Sequence, residues 1–340
     1  MKWRKVGVLM GGISSERDVS LMTGEAVADA LEHLGYEVRR LIVGRDIDRL
    51  LRNADMDVAF LALHGRYGED GCIQGLLEIL GIPYTGSGVL SCALATDKIK
   101  AKEIFRLHNI PTPPYYVVNP DSVSWLEDLH GSFGFPVVVK PRSEGSGIGV
   151  TVVRKIGDLL DAVETALAWD DLVLVERYVE GKEVTVGLLD GRVLGAIEVE
   201  RRSSSAGWSA SPLPGEDVVC RFPAILPPTR YRCVLTLAER ANRVLGCDGA
   251  SCVDLIVTEG ENEYVLEIDS LPAMTPESLM ARIAGGASME FPRLVQSVLD
   301  SARLHSSAAL RADIVYGHVE ADSATVSIST APLLRLARSR

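Results

Sequence analysis

Val137–Val150, VVVKPRSEGSGIGV, is the stretch on which the reading of this chain turns. Three valines run into Lys140 and Pro141, a loop follows with Gly145, Ser146, Gly147 and Gly149, and Val150 and Val152 resume a strand pattern. The order is strand, glycine-rich loop, strand. Glycine lets a backbone come close to a ligand and aim several N–H groups at one anion, and Lys140 just upstream adds a point charge for phosphate oxygens. Taken alone, the stretch also suits an ordinary hairpin with an adjacent lysine. Whether the rest of the chain supplies metal ligands and a substrate site decides between the two.

Downstream, IGDLLDAVETALAWDD reads as an amphipathic helix, and residues 171–200 as strands joined by glycine turns. Within them VLVERYVEGKEV has an extended segment, Glu176, Arg177, Tyr178 and Val179, of the kind whose backbone recognises adenine, and a nearby carboxylate, Glu183, suited to ribose hydroxyls. By itself it is an acidic strand end. GASCVDLIV and YVLEIDSLPAMT form two further strands bearing Asp254, Glu267 and Asp269. Residues two apart share a strand face, so Glu267 and Asp269 point the same way, and with Asp254 on a neighbouring strand they make an all-oxygen cluster suited to Mg²⁺ bridging nucleotide phosphates. Solvated surface acids are the competing reading. Against it, Ile256, Val265, Leu266 and Ile268 mark core strands, where like charges without a cation repel. Residues 201–228 are irregular and rich in Ser, Gly and Pro, a candidate lid. A helix follows over 231–245, and residues 306–340 are a Ser- and Ala-biased tail, mobile or an added strand pair.

Upstream, KVGVLM, a Gly11-Gly12 turn, a helix over 16–34 with Ser14 or Ser15 as its N-cap, and YEVRRLIV spell an α/β unit with a parallel sheet. Such sheets bind ligands beyond the carboxyl ends of their strands. Glu16 falls there, although an acid stabilised by a helix N-terminus needs no ligand. DVAFLALHG brings His64 to a neighbouring strand end. Residues 91–108 read as one helix carrying Lys98, Lys100 and Lys102; spaced two apart, these cannot all share a face, so one or two serve a buried ligand. Pro111, Pro113 and Pro114 then mark a domain boundary.

At 340 residues the chain has length for about two domains, and 47% hydrophobic with 24% charged residues is a globular balance. No apolar run reaches the ~18–20 residues of a membrane span, and the N-terminus leads into a strand rather than a signal-peptide core. A net charge of −11 argues against nucleic acid as a partner without excluding a nucleotide, which needs only a few local cations. Six cysteines without a CxxC pair suit reduced thiols in a cytoplasm.

Together, SSERDVS, ALHGRYGEDGCIQGLLEILGIPYTGSGVLSCALATDKI, VVVKPRSEGSGIGV and YVLEIDSLPAMT resemble the D-alanine–D-alanine ligase family of the ATP-grasp superfamily, in the family's order and over residues 5–300, with this chain a divergent member. The resemblance implies an α/β protein: an N-terminal doubly wound parallel-sheet domain (1–95), two α+β ATP-grasp subdomains (96–185 and 186–305) and a tail (306–340). It implies a cytoplasmic homodimer of cell-wall (peptidoglycan) biosynthesis that uses ATP and two Mg²⁺ ions, or Mn²⁺, on small amino-acid substrates, with no nucleic-acid or membrane partner. ATP phosphorylates the carboxylate of one amino acid, and the amine of a second attacks the acyl phosphate. On this resemblance Lys98 and Lys140 contact the phosphates and Ser146 lies in the loop closing over them; Glu176 through Val179 and Glu183 bind the nucleoside. Glu16 and His64 hold the first amino acid, Ser278 and Leu279 the second, and Asp254, Glu267 and Asp269 the metal ions.

Four departures accompany the resemblance. Cys252 stands where the family has a catalytic Arg, Asp269 where it has Asn, and Ala273 where a Gly presents its N–H to an oxyanion. The lid, 203–222, lacks the Lys-Tyr pair, and Arg201, Arg202 and Arg221 are the cations left to it. Two readings follow: a ligase with an altered substrate or reduced activity, or a nucleotide-binding paralogue of impaired catalysis.

Overall fold

In the computed structural model, residues 2–201, 218–260 and 262–306 are described. The first three strands, β1 (Lys5–Gly11), β2 (Glu37–Val43) and β3 (Val58–Leu61), pair in parallel in the order β2-β1-β3. Helix α1 (Arg17–His33) connects β1 to β2, and α2 (Ile47–Asn53) connects β2 to β3. α1 buries Thr23, Gly24, Val27 and Leu31. Gly24 permits the close approach: a Cβ there would lie 2.4 Å from Met10 Cβ. The helix start differs from expectation. Glu16 takes the N-cap position, and the Ser14 hydroxyl donates instead to the His64 carbonyl at 2.7 Å.

After α3 (Cys72–Leu80), the helix expected over 91–108 is two, α4 (Val89–Thr96) and α5 (Lys98–Leu107). Asp97 parts them: its backbone is extended and its carboxylate accepts the Lys100 N–H at 3.0 Å, capping α5. Lys98 therefore opens a helix instead of lying inside one.

The next segment folds as β4 (Tyr115–Val118), α6 (Leu126–His130), β5 (Val137–Pro141), β6 (Thr151–Val153), α7 (Leu159–Leu167) and β7 (Val173–Arg177). Its strands make an antiparallel sheet in the order β4-β7-β5-β6, with Val137, Val139 and Val175 buried against Val163 of α7. The glycine-rich loop joins β5 to β6, as expected. A second antiparallel sheet follows: β8 (Lys182–Leu189), β9 (Arg192–Arg201), β10 (Val218–Arg221), β11 (Ala250–Val257) and β12 (Glu263–Asp269), in the order β10-β9-β8-β11-β12. β9 and β10 carry regular structure into both ends of the stretch read as an irregular lid, whose residues 202–217 lie outside the described ones. The tail expected over 306–340 also lies outside them beyond Ser306.

α8 (Pro228–Leu245) covers this sheet, α9 (Leu279–Gly286) packs on its strands β8 and β9, and α10 (Phe291–Asp300) packs on α9 and on α1 of the parallel unit. Met280, Ala284, Val295 and Leu299 share one core with Val8, Leu31 and Phe60. This shared core fixes the parallel sheet against the acid-bearing strands.

Gly24→Val should cost about 1–3 kcal/mol by overpacking α1 on β1. Urea denaturation checks this; a midpoint equal to the parent's would show that the interface yields without cost.

Candidate active site

Beyond the carboxyl ends of β1 and β3, the glycine-rich loop meets the parallel sheet. The Ser146 hydroxyl donates to Glu16 Oε1, and Ser146 itself sits in left-handed backbone, φ +50°. A Cβ on Gly145 would lie 3.1 Å from both Glu16 carboxylate oxygens. The absence of a side chain there lets the loop lie against the acid. Burial raises the Glu16 pKa, the neighbouring Glu69 adds to the rise, and Ser146, His64 and Lys98 pull against it.

His64 lies three residues past the end of β3 and is 4% exposed. Its Nε2 is 3.1 Å from Thr23 Oγ1 and its Nδ1 3.2 Å from Glu69 Oε1. Burial pushes its pKa down, but the hydrogen bond and charge of Glu69, with the charges of Asp269 and Glu16, outweigh burial and the net shift is upward. The sequence reading missed Glu69, whose signal was the polar turn five residues past His64, and Thr23, which had none.

Of the three lysines on α5, Lys98 and Lys102 turn inward and Lys100 outward to Glu103, as helical spacing requires. Lys98 Nζ donates to the Glu144 carbonyl at 2.8 Å and pairs with Glu267 Oε2 at 3.3 Å. Glu176 is held between two lysines, its Oε2 2.7 Å from Lys140 Nζ and its Oε1 against Lys102. Burial would raise the Glu176 pKa, yet Lys102 and Lys140 bring it below the ordinary value; burial and the nearby Lys140 bring Lys102 down to about 8. The sequence named Lys102 among three candidates without singling it out. The backbone N–H groups of Arg177 and Tyr178 donate to Pro114 and Pro136, at 2.9 and 3.1 Å, and so are engaged within the protein.

The acids fall where the strand pattern puts them. Asp254 on β11 lies opposite Glu267 on β12, and Cys252 opposite Asp269. Thr185 of β8 donates to Asp254 Oδ1 at 2.5 Å, and Leu271 N–H donates to Asp269 Oδ1 at 2.9 Å. Burial and Glu267 push Asp254 well above the ordinary carboxylate range, with Glu183 adding to the rise. Burial and Glu69 push Asp269 up to about 7. Glu267 is lowered because Lys98 and Lys140 outweigh its burial. Among the described residues, no three His, Cys, Asp or Glu side chains converge as a ready-made metal site. These carboxylates nevertheless fit a hard cation. Mg²⁺ commonly takes one or two protein carboxylates and completes its shell with phosphate oxygens and water, and acids whose pKa values rise through burial and mutual repulsion lack such a counter-charge.

One cavity is bordered by Glu16, His64, Lys98, Ser146, Glu267, Asp269 and Ala273. A second is bordered by Cys252, Ser278 and Leu279 and shares Ala273 with the first. Ser278 caps α9 through the Ala281 N–H at 3.3 Å. The Cys252 thiol is buried, and that burial, with Asp269 and Asp254, raises its pKa far above the ordinary thiol value. Of the three arginines noted for the lid, Arg221 pairs with Glu200 at 2.5 Å and lies 3.8 Å from Glu198, the Arg201 backbone ends β9, and Arg202 lies outside the described residues.

A parallel sheet offering Glu16 and His64, joined to two antiparallel sheets that carry the glycine-rich loop with its lysines and the paired acids, makes this an ATP-grasp protein. Family models for the D-ala D-ala ligase N-terminus and C-terminus match residues 42–87 and 104–300. The D-alanine–D-alanine ligase of Geobacter sulfurreducens is 46% identical over 306 residues, 89% of this chain and 96% of the relative. That of Geotalea uraniireducens is 47% identical over 309 residues, 90% of this chain and 98% of the relative. The crystal structure of the Bacillus anthracis enzyme complexed with ATP superposes with a TM-score of 0.75 at 33% identity, covering 92% of this chain and 99% of that one. The chain belongs to the D-alanine–D-alanine ligase family, a family of ATP-dependent ligases.

Glu176→Gln leaves two buried lysines short of a counter-ion and should cost about 3–5 kcal/mol. Urea unfolding at neutral pH measures it. An unchanged midpoint would mean that water or another group takes over the lysines.

Proposed function

We propose that this chain joins D-alanine to a second D-amino acid through an acyl phosphate formed from ATP. The observation that carries the reading is the hydrogen bond from Ser146 to Glu16, which ties a phosphate-type loop to an acid at the strand ends of the substrate-type sheet. A free carboxylate is a poor electrophile, and phosphoryl transfer to it creates a leaving group. The Glu16 carboxylate receives the ammonium of the first amino acid. The arriving cation favours the ionised form that burial disfavours. His64, braced by Glu69 and Thr23, lines the same space.

Lys98 and Lys140 face the phosphates; Glu176 to Val179 and Glu183 face the nucleoside, with the Glu176 side chain aligning Lys140. Asp254, Glu267 and Asp269 would hold two Mg²⁺ ions, or Mn²⁺ in their place, which when bound would neutralise phosphate charge. Ser278 and Leu279, at the start of α9, receive the carboxylate of the second amino acid, which enters by the cavity adjoining Ala273. Cys252 supplies no positive charge to the acyl-transfer step.

The three sheets support a division of residues 1–305 into a substrate part and two ATP-grasp parts, the second boundary moving from 185 to the turn before Lys182. We place the enzyme in the cytoplasm as a homodimer. No helix among the described residues is long and apolar enough to cross a membrane, and Ile79 and Leu90 are 81% and 70% exposed. The impaired-paralogue reading gains no support over the ligase from these relatives.

Purified protein given ATP, Mg²⁺ and D-alanine should release phosphate only when the amino acid is present. No release across a panel of amino acids, hydroxy acids and amines would overturn the assignment. Cys252→Arg should raise the rate on D-alanine, by up to about 10²–10³-fold if it restores a full charge stabiliser; an unchanged rate would shift attention to Ala273 and the lid.

A further inference from the structure

The buried carboxylate of Asp170 has no part in the chemistry above. It lies in the turn between α7 and β7, its side chain is 7% exposed, and it pairs at 3.0 Å with Nη2 of Arg142, the residue that leaves β5 for the glycine-rich loop. The same turn takes the Arg142 backbone, whose N–H donates to the Leu172 carbonyl at 3.1 Å. Trp169, one residue earlier, reaches the loop's other leg. A Cβ on Gly149 would lie 3.1 Å from Trp169 Cδ1 and 2.8 Å from Pro141 Cγ, so the backbone there passes close against both rings. Gly149 also has a φ of +68°, which glycine adopts without strain.

One turn therefore grips both legs of the loop, while the tip between them meets Glu16 through Ser146. The grip extends to α5: the Arg142 carbonyl accepts the Lys98 N–H at 3.1 Å, and Lys98 Nζ bonds the Glu144 carbonyl at 2.8 Å. A shift of the Arg142 leg would carry to Lys98.

We propose that the Trp169–Asp170 turn is a positioning element for the glycine-rich loop, fixing its two legs so that the tip closes over the triphosphate in one register. This rests on the reading of the loop as the phosphate cover. Loop closure that starts from pinned legs has less freedom left to lose when ATP binds. The turn touches no reactant, so its loss should weaken ATP binding more than turnover.

The test uses Asp170→Asn, Asp170→Glu and Trp169→Ala in the full chain. In Asp170→Asn and Trp169→Ala, KM for ATP should rise about five- to tenfold with kcat at saturating ATP within about twofold of the parent, and Asp170→Glu should recover part of the loss. Amide hydrogen exchange of the ATP-free protein should quicken by about tenfold over residues 142–150 and stay unchanged elsewhere. An unaltered KM for ATP with unaltered exchange would overturn the proposal, as would faster exchange throughout the chain, the mark of general destabilisation. If Asp170→Asn does not fold, Trp169→Ala carries the same two measurements. If the parent releases no phosphate with any substrate, the ligase reading fails by itself, and exchange over 142–150, which needs no ATP, still decides whether the turn holds the loop.

Discussion

Two glutamates make the centre of this molecule possible. Lys102 and Lys140 lie fully inside the protein and Lys98 nearly so, and a buried ammonium is tolerated only beside a counter-charge. Glu176 answers Lys102 and Lys140, and Glu267 answers Lys98. The two glutamates come from different sheets, so meeting the lysines also fixes one sheet against the other. Cations suited to phosphate oxygens are thereby stored between the sheets at a tolerable free energy before any nucleotide arrives.

The same charge logic sorts the remaining acids. Glu267 has lysines near it and ionises readily, whereas Asp254 and Asp269 lack an equivalent partner and are pushed upward. The asymmetry points to where positive charge is missing, beside Asp254 and Asp269 and away from Glu176. Cys252, opposite Asp269, brings none. On the function proposed above, the nucleotide side is well supplied with cations and the acyl-transfer side is short of them, so acyl transfer is the step at which this chain departs most from the family pattern.

The glycine-rich loop is joined to the strand ends of the parallel sheet by few atoms. Ser146 reaches Glu16 from the loop, Gly145 lies against the same carboxylate, and Lys98 touches both the loop and the acid strand. Each of these contacts depends on loop conformation, and the loop is anchored from behind by the α7–β7 turn. Order at the tip is thus inherited from packing at the base.

The glycine-rich loop, the parallel unit and the placing of Asp254 on one strand and of Glu267 and Asp269 on its neighbour were legible in the sequence because each follows from local rules: glycine punctuation, helical spacing and the two-residue period of a strand. The break at Asp97 was not, because a polar residue within an amphipathic pattern disturbs no period. Ser14 was misread as a cap because its hydroxyl is taken by the His64 carbonyl, 50 residues on. Glu69, Thr185 and Asp170 were missed, and Lys102 was not singled out, for a related reason. Each draws its role from a side chain or a packing contact that spacing along the chain does not reveal, as with Thr185 and Asp254, 69 residues apart. Sequence by itself determined on which elements the lysines, the glycine-rich loop and the strand-borne acids ride. Only the tertiary structure decided which charges neutralise one another, because burial and separation in space set that balance.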